Sequence, residues 1–208
     1  MVWSCLVSIL PGMAQTEKLT DYVNPFVGTD GYGNVYPGAQ IPFGGIQISP
    51  DTDSRFYDAA SGYKYNHLTL MGFSLTHLSG TGIPDLGDFL FIPGTGEMKL
   101  EPGTHEDPDQ GYRSRYSHDK EWASPNYYAV ELADYGVKAE MTSGVRSGMF
   151  RFTYPESDNA FIMIDMNHTL WQSCEWSNLR MINDSTITGY KLVKGWGPER
   201  HVYLSLIH

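Results

Sequence analysis

The chain has 208 residues, 41% of them hydrophobic and 18% charged, with a formal net charge of −10. That balance excludes a disordered polymer, and an acidic chain without a Lys/Arg run argues against nucleic acid or anionic membrane surfaces as partners. Two cysteines, Cys5 and Cys174, give neither a disulfide framework nor a zinc cluster.

Residues 1–15 resemble a secretory signal. Met1 to Leu10 is apolar and small residues follow, although the positive start is missing. An exported protein is therefore expected, and residues 16–208 are long enough for one substantial domain or two small ones. The apolar run is too short to span a bilayer, and no other stretch is long enough. From Asn24 to Asp51 glycine and proline are dense, which fixes backbone geometry more than it fills a core. Gly28 to Asn34 reads as a loop without the G-x-G-x-x-G spacing of a dinucleotide site. Ile46-Gln47-Ile48 alternates as a strand does. Asp51 to Ala60 fits a single helical turn capped by Asp51 or Thr52.

Short alternating pieces follow at Tyr63-Lys64-Tyr65, Leu68-Thr69-Leu70 and Phe73-Ser74-Leu75. Asp88 to Pro93 reads as a strand ended by its proline. Glu97 to Ala123 is a polar surface excursion, with Arg113, Arg115, His118 and Lys120 as a solvated face. Tyr127–Leu132 and Val137–Met141 flank a turn over Ala133–Gly136, where the glycine supplies a positive φ. Ser147 to Tyr154 alternates and stops at Pro155. Phe161 to Asp165 is an unbroken apolar run, the signature of a strand buried on both faces. Arg180–Ile182, Thr186–Leu192 and Val202–Ile207 continue the pattern, with a turn at Asn183–Ser185. Strands at this spacing, almost without helix, predict an all-β fold, a β-sandwich. The last strand runs to His208 without a closing turn, so a chain truncated at its C-terminal end is expected.

Chemistry concentrates in Gly62 to Asp88. His67 and His77 match no metal-ligand spacing such as H-E-x-x-H, so His77 reads as a hydrogen-bonded loop histidine. Asp85 and Asp88 sit in one loop. A glycosidase needs carboxylates facing each other across a bond, so these two more naturally hold the loop or accept sugar hydroxyls. Ser79 and Thr81 lie near His77, but no G-x-S-x-G elbow is present. Cys174 reads as a lone buried thiol. Asn167-His168-Thr169 and Asn183-Asp184-Ser185 are glycosylation sequons by pattern.

Several segments in order resemble the N-terminal domain of glycoside hydrolase family 92, the exo-acting α-mannosidases. They are N-P-F-V-G-T-D-G at Asn24–Gly31, Y-P-G-A-Q-I-P-F-G at Tyr36–Gly44 and I-S-P-D-T at Ile48–Thr52. Further matches are S-G-Y-K-Y at Ser61–Tyr65, G-F-S-L-T-H-L-S-G-T-G at Gly72–Gly82, D-L-G-D at Asp85–Asp88 and K-G-W-G-P-E-R-H-V-Y at Lys194–Tyr203. The resemblance implies a β-sandwich of supersandwich type, followed in full-length members by a C-terminal (α/α)6 catalytic domain absent from this chain. It implies calcium-dependent, inverting hydrolysis of terminal α-mannosides on N-glycans or mannan. The acid, base and calcium ligands belong to the absent domain, so no catalytic residue, metal ligand or bound calcium is expected here. A bacterial periplasmic or secreted location goes with it. Tyr57, Asp58, His77, Thr81 and Asp85 are the residues expected to shape the substrate pocket. Tyr57-Asp58 stands where members commonly carry Trp-Asp, and Leu75 replaces the first histidine of F-S-H-T-H. Two other readings stand beside it: a stand-alone, non-catalytic carbohydrate-binding module and a purely structural interaction domain.

Overall fold

The structure, a computed structural model, describes residues 17–54 and 57–208; the Asp58 side chain, Cys5 and the signal-like segment lie outside the described residues. Thirteen strands are described. They are β1 (Ser49–Asp51), β2 (Thr69–Leu70), β3 (Gly72–Ser74), β4 (Leu90–Thr95), β5 (Ser114–Arg115), β6 (Glu121–Ser124) and β7 (Tyr127–Leu132). Then come β8 (Val137–Ser143), β9 (Gly148–Thr153), β10 (Ala160–Asp165), β11 (Ser173–Asn183), β12 (Thr186–Lys194) and β13 (Arg200–Ile207).

The strands β6-β7-β8-β9 form an antiparallel meander, and β1-β3-β4-β10 form a second four-stranded sheet. Between them lies one apolar core. Tyr36, Ile48, Phe73, Tyr128, Val130, Val137 and Met141 are buried in it, and Phe150 and Phe152 of β9 pack against it. The Phe91 and Phe150 rings meet across the two sheets at 5.0 Å. The all-β sandwich expectation holds. The predicted hairpin does too: Leu132 pairs with Val137, and Gly136 sits at φ +65.

Several local expectations change. Pro93 lies inside β4, opposite Ile162. It is tolerated because β3 pairs with β4 only at Phe91, so that side of the strand carries no ladder at Pro93 to interrupt. The strand buried on both faces is β4, not β10. Leu90, Phe91 and Ile92 are buried, with Leu90 and Ile92 packing on Met71 and Tyr112, whereas Ile162 of β10 is 44% exposed. Instead of a strand at Ile46–Ile48 there is a single bridge from Ile48 to Ala39; Gly45 and Gln47 donate to the Val145 and Leu75 carbonyls. Lastly, Arg113 is buried, its guanidinium donating to the Thr52 carbonyl and, at 3.3 Å, to Thr69. The helical turn is a 3-10 turn at Tyr57–Ala59, after Asp51 has closed β1. Tyr63–Tyr65 is irregular, because Lys64 donates its N–H to Thr52 and Tyr65 donates to Thr29.

The third sheet, β11-β12-β13, is long, and most of β11 is exposed. Cys174 on it is half-buried rather than buried. No helix among the described residues is long and apolar enough to cross a membrane.

Candidate functional site

The site begins at Asp51, the last residue of β1, which is fully buried. Its Oδ1 meets His77 Nε2 at 2.7 Å, and its Oδ2 meets His168 Nε2 at 2.7 Å. His77 Nδ1 donates to the Gln47 carbonyl at 2.7 Å, and Nε2 also lies 3.0 Å from Ser74 Oγ. The chain makes room for this row by a glycine. Gly62 has φ +87, and a Cβ there would stand 2.1 Å from Asp51 Oδ1 and 3.1 Å from His77 Cδ2. Burial alone would push the Asp51 carboxyl up. The charge of His77 and the hydrogen bonds from both histidines outweigh burial and hold it well below the usual carboxylate range.

His168 carries the row to a cavity of about 490 Å³, which Ser54, Tyr112, Asp165, Asn167, Trp171 and Gln172 help to line. The loop after β10 builds one wall. Asp165 Oδ1 accepts the backbone N–H groups of Asn167 and His168 at 2.8 and 3.1 Å. Asp165 Oδ2 accepts the Tyr112 hydroxyl at 3.3 Å; burial first, then the charge of Asp165, pushes that phenol up and keeps it a donor. Thr169 Oγ1 donates to the Gln172 carbonyl at 2.8 Å and accepts its N–H at 3.2 Å, while Gln172 Nε2 reaches the Pro84 carbonyl at 2.5 Å. Leu170 is the anchor: fully buried, its N–H on the Leu86 carbonyl at 2.9 Å. It packs so close to Gly87, at φ +75, that a Cβ there would be 2.7 Å from Leu170 Cγ. With Leu170 pinned inward, Trp171 turns outward. It is 56% exposed, its φ is +68, and its ring stands edge-on to Tyr57 at 5.4 Å. A bulky residue in that left-handed conformation stores strain of about 1–3 kcal/mol.

Two carboxylates tie the third sheet to this wall. Asp88 accepts the Thr76 hydroxyl at 2.8 Å and the Arg200 guanidinium, and its Oδ1 lies 3.6 Å from the buried Lys191 ammonium. Lys191 in turn donates to the His168 carbonyl at 2.5 Å. Burial pushes the Lys191 ammonium down, and Asp88 only partly opposes this. Asp85 accepts the N–H groups of Leu86 at 2.6 Å and Trp196 at 3.0 Å.

The residues expected from sequence are thus dispersed. Tyr57 reaches the cavity through its ring contact with Trp171. The Asp58 side chain lies outside the described residues. His77 is buried behind Asp51, hydrogen-bonded as its loop position suggested, and does not line the cavity. Thr81 donates to the Ile83 carbonyl at 3.2 Å within its own turn, away from the lining. Asp85 holds backbone rather than facing open space. His168, Trp171, Gln172, Tyr112 and Asp165 were not singled out as site residues. A usable signal existed: N-H-T-L-W-Q at Asn167–Gln172 sets polar and aromatic groups just past the end of an apolar strand. For the calcium that the resemblance implies, no group of three or more His, Cys, Asp or Glu suited to a metal occurs among the described residues. The donor set among the described residues does not fit that ion.

What the cavity offers is the Trp171 ring with Tyr57 against it, amide and carboxylate groups, and a fixed imidazole. Sugars are gripped by such combinations. The glycosyl hydrolase family 92 N-terminal domain profile matches residues 22–206. The α-mannosidase BT3965 of Bacteroides thetaiotaomicron superposes with a TM-score of 0.91 at 99% identity, over 93% of this chain and 26% of that one. BT3965 in complex with mannoimidazole gives a TM-score of 0.90, also at 99% identity, over 91% of this chain and 25% of that one. A curated "uncharacterized secreted glycosidase" of Arthroderma benhamiae is 30% identical over 139 residues, 66% of this chain and 17% of that protein. The chain therefore spans about a quarter of the solved enzymes it matches and less of the curated relative.

Proposed function

We propose, from the premise that the chain belongs to glycosyl hydrolase family 92 through its N-terminal domain, that it forms one wall of the substrate pocket of an exo-acting α-mannosidase. Acid, base and calcium come from a helical (α/α)6 domain outside this chain, acting on terminal α-mannosides of N-glycans or mannan. The observation that carries the reading is the 99% identity to BT3965, an α-mannosidase of which a complex with mannoimidazole exists. The cavity supports it from within the chain. Trp171, braced by Tyr57, gives a flat apolar face to pack against a pyranose ring, and polar groups of the same lining meet its hydroxyls. Asp85 and Asp88 are occupied by backbone and cationic partners, so neither is free to act as acid or base. A periplasmic or secreted location agrees with the signal-like start and with the secreted relative.

The division of labour is tested by turnover of 4-nitrophenyl α-mannoside and of mannobiose. The purified 208-residue chain is expected to hydrolyse neither. The same chain joined to the rest of a BT3965-like enzyme is expected to turn over mannobiose and to lose that activity in EDTA. Turnover by the 208 residues alone overturns the proposal. The stand-alone binding module is separated from it by calorimetry, since millimolar or tighter affinity of the isolated chain for mannobiose favours the module.

A further inference from the structure

We propose that His168 is a ligand-binding residue of the cavity, accepting a sugar hydroxyl at Nδ1, and that Asp51 is the positioning residue that keeps that nitrogen an acceptor. The inference rests on the mannoside reading above and deepens it.

The argument starts from proton placement. His168 Nε2 lies 2.7 Å from Asp51 Oδ2, and Asp51 is a fully buried carboxylate already accepting from His77. An ionised carboxylate only accepts hydrogen bonds, so the proton between the two groups sits on Nε2. A neutral imidazole with Nε2 protonated presents Nδ1 as a bare lone pair. The backbone on both sides of the ring is pinned. The His168 N–H is held by Asp165 at 3.1 Å, and its carbonyl is held by the Lys191 ammonium at 2.5 Å. The side chain is only 4% exposed, yet it lines the cavity.

Nδ1 is also an acceptor there without a partner among the described residues. Asp165 has both oxygens occupied, by backbone N–H groups and by Tyr112. Thr169 and Gln172 are engaged with each other, and Gln172 also with Pro84. No hydrogen bond is made by His168 Nδ1 among the described residues, although Nε2, N and O each make one. A nearly buried acceptor left open toward a sugar-sized cavity is matched by a hydroxyl donor.

Long-range 1H–15N spectra of the chain labelled at histidine nitrogen test this directly. His168 is expected as the Nε2–H tautomer, with an Nδ1 signal that moves, in step with the Trp171 indole, only as methyl α-mannoside is raised beyond the millimolar range that would mark a stand-alone module. A monodeoxy mannoside lacking the matched hydroxyl is expected to bind about tenfold more weakly, the usual penalty for leaving such a group unpaired. If Trp171 responds and His168 Nδ1 does not, the inference falls while the mannoside reading stands. Silence at both residues overturns the reading of this cavity and the inference with it. An Nδ1–H tautomer in the free chain overturns the inference alone. Asp51→Asn supplies a second measurement: its amide can donate to Nε2, so a tautomer shift towards Nδ1–H and a loss of mannoside response are expected. A variant that keeps the Nε2–H tautomer and full binding overturns the role of Asp51. Should the variant not fold, the wild-type titration decides.

Discussion

At Gly62 a backbone requirement and a steric one coincide, which lets their contributions be separated. The residue has φ +87 and would press a Cβ to 2.1 Å from Asp51 Oδ1, whereas Gly80 has φ +74 with nothing within 4 Å. Gly80→Ala is expected to cost only left-handed strain, about 1–2 kcal/mol. Gly62→Ala adds displacement of a buried charged row, for which a broken partner typically costs about 3–5 kcal/mol. Urea unfolding of the two variants checks the difference, and equal losses would remove Gly62 from the account of the site. Trp171 shows the opposite balance. Its positive φ is a local cost, sustained because Leu170 beside it is locked under Gly87.

Among the elements, β12 and β13 depend on one carboxylate supplied by the glycine-rich segment. Lys191 and Arg200 both converge on Asp88, and both Lys191 and Asp88 are shut off from water. Asp88→Ala leaves a buried ammonium without its counter-ion, and a loss of about 3–5 kcal/mol is expected. Amide exchange should accelerate across residues 186–207 and stay slow in β7 and β8. Uniform acceleration would mean that the third sheet is not held in this way. Elements of this molecule were readable from sequence in proportion to how local their pairing is. The β7–β8 hairpin, β9, β12 and β13 announce themselves by alternation and by turns such as Ala133–Gly136. The sheet β1-β3-β4-β10 does not, because β4 finds its main partner in β10 far along the chain, and its Pro93 mimics a strand end. The site follows the same rule. His77 and Asp85 were legible as loop-holding residues from their neighbours in sequence, and Tyr57 from the resemblance. His168 was not, since only contact with Asp51 distinguishes it from the middle of a glycosylation pattern.

On the scale of the whole molecule, charge makes acid an informative perturbation. The net charge of −10 means that mild acidification first relieves self-repulsion. Asp51 acts in the other direction. Its carboxyl in the folded chain titrates below its ordinary value, so the unfolded state binds the proton first as pH falls. Its stabilisation is complete above the ordinary carboxylate value of about 3.9 and drains away as pH drops below it, at roughly 1.4 kcal/mol per unit. Thermal melts between pH 3 and 7 should show that decline in the natural chain and a shallower one in Asp51→Asn; parallel curves would show that another carboxylate governs. The distance along the chain between Asp51 and His168 has a consequence for how the protein is made. The two are 117 residues apart, so a nascent chain leaving the ribosome presents Asp51, Gly62 and His77 long before the loop that covers them exists. The meander β6–β9 is complete by then, and its strands pair locally enough to fold early. A product halted between Thr153 and His168 would therefore carry the finished meander but lack β11, β12 and β13, with Asp51 facing water where His168 belongs.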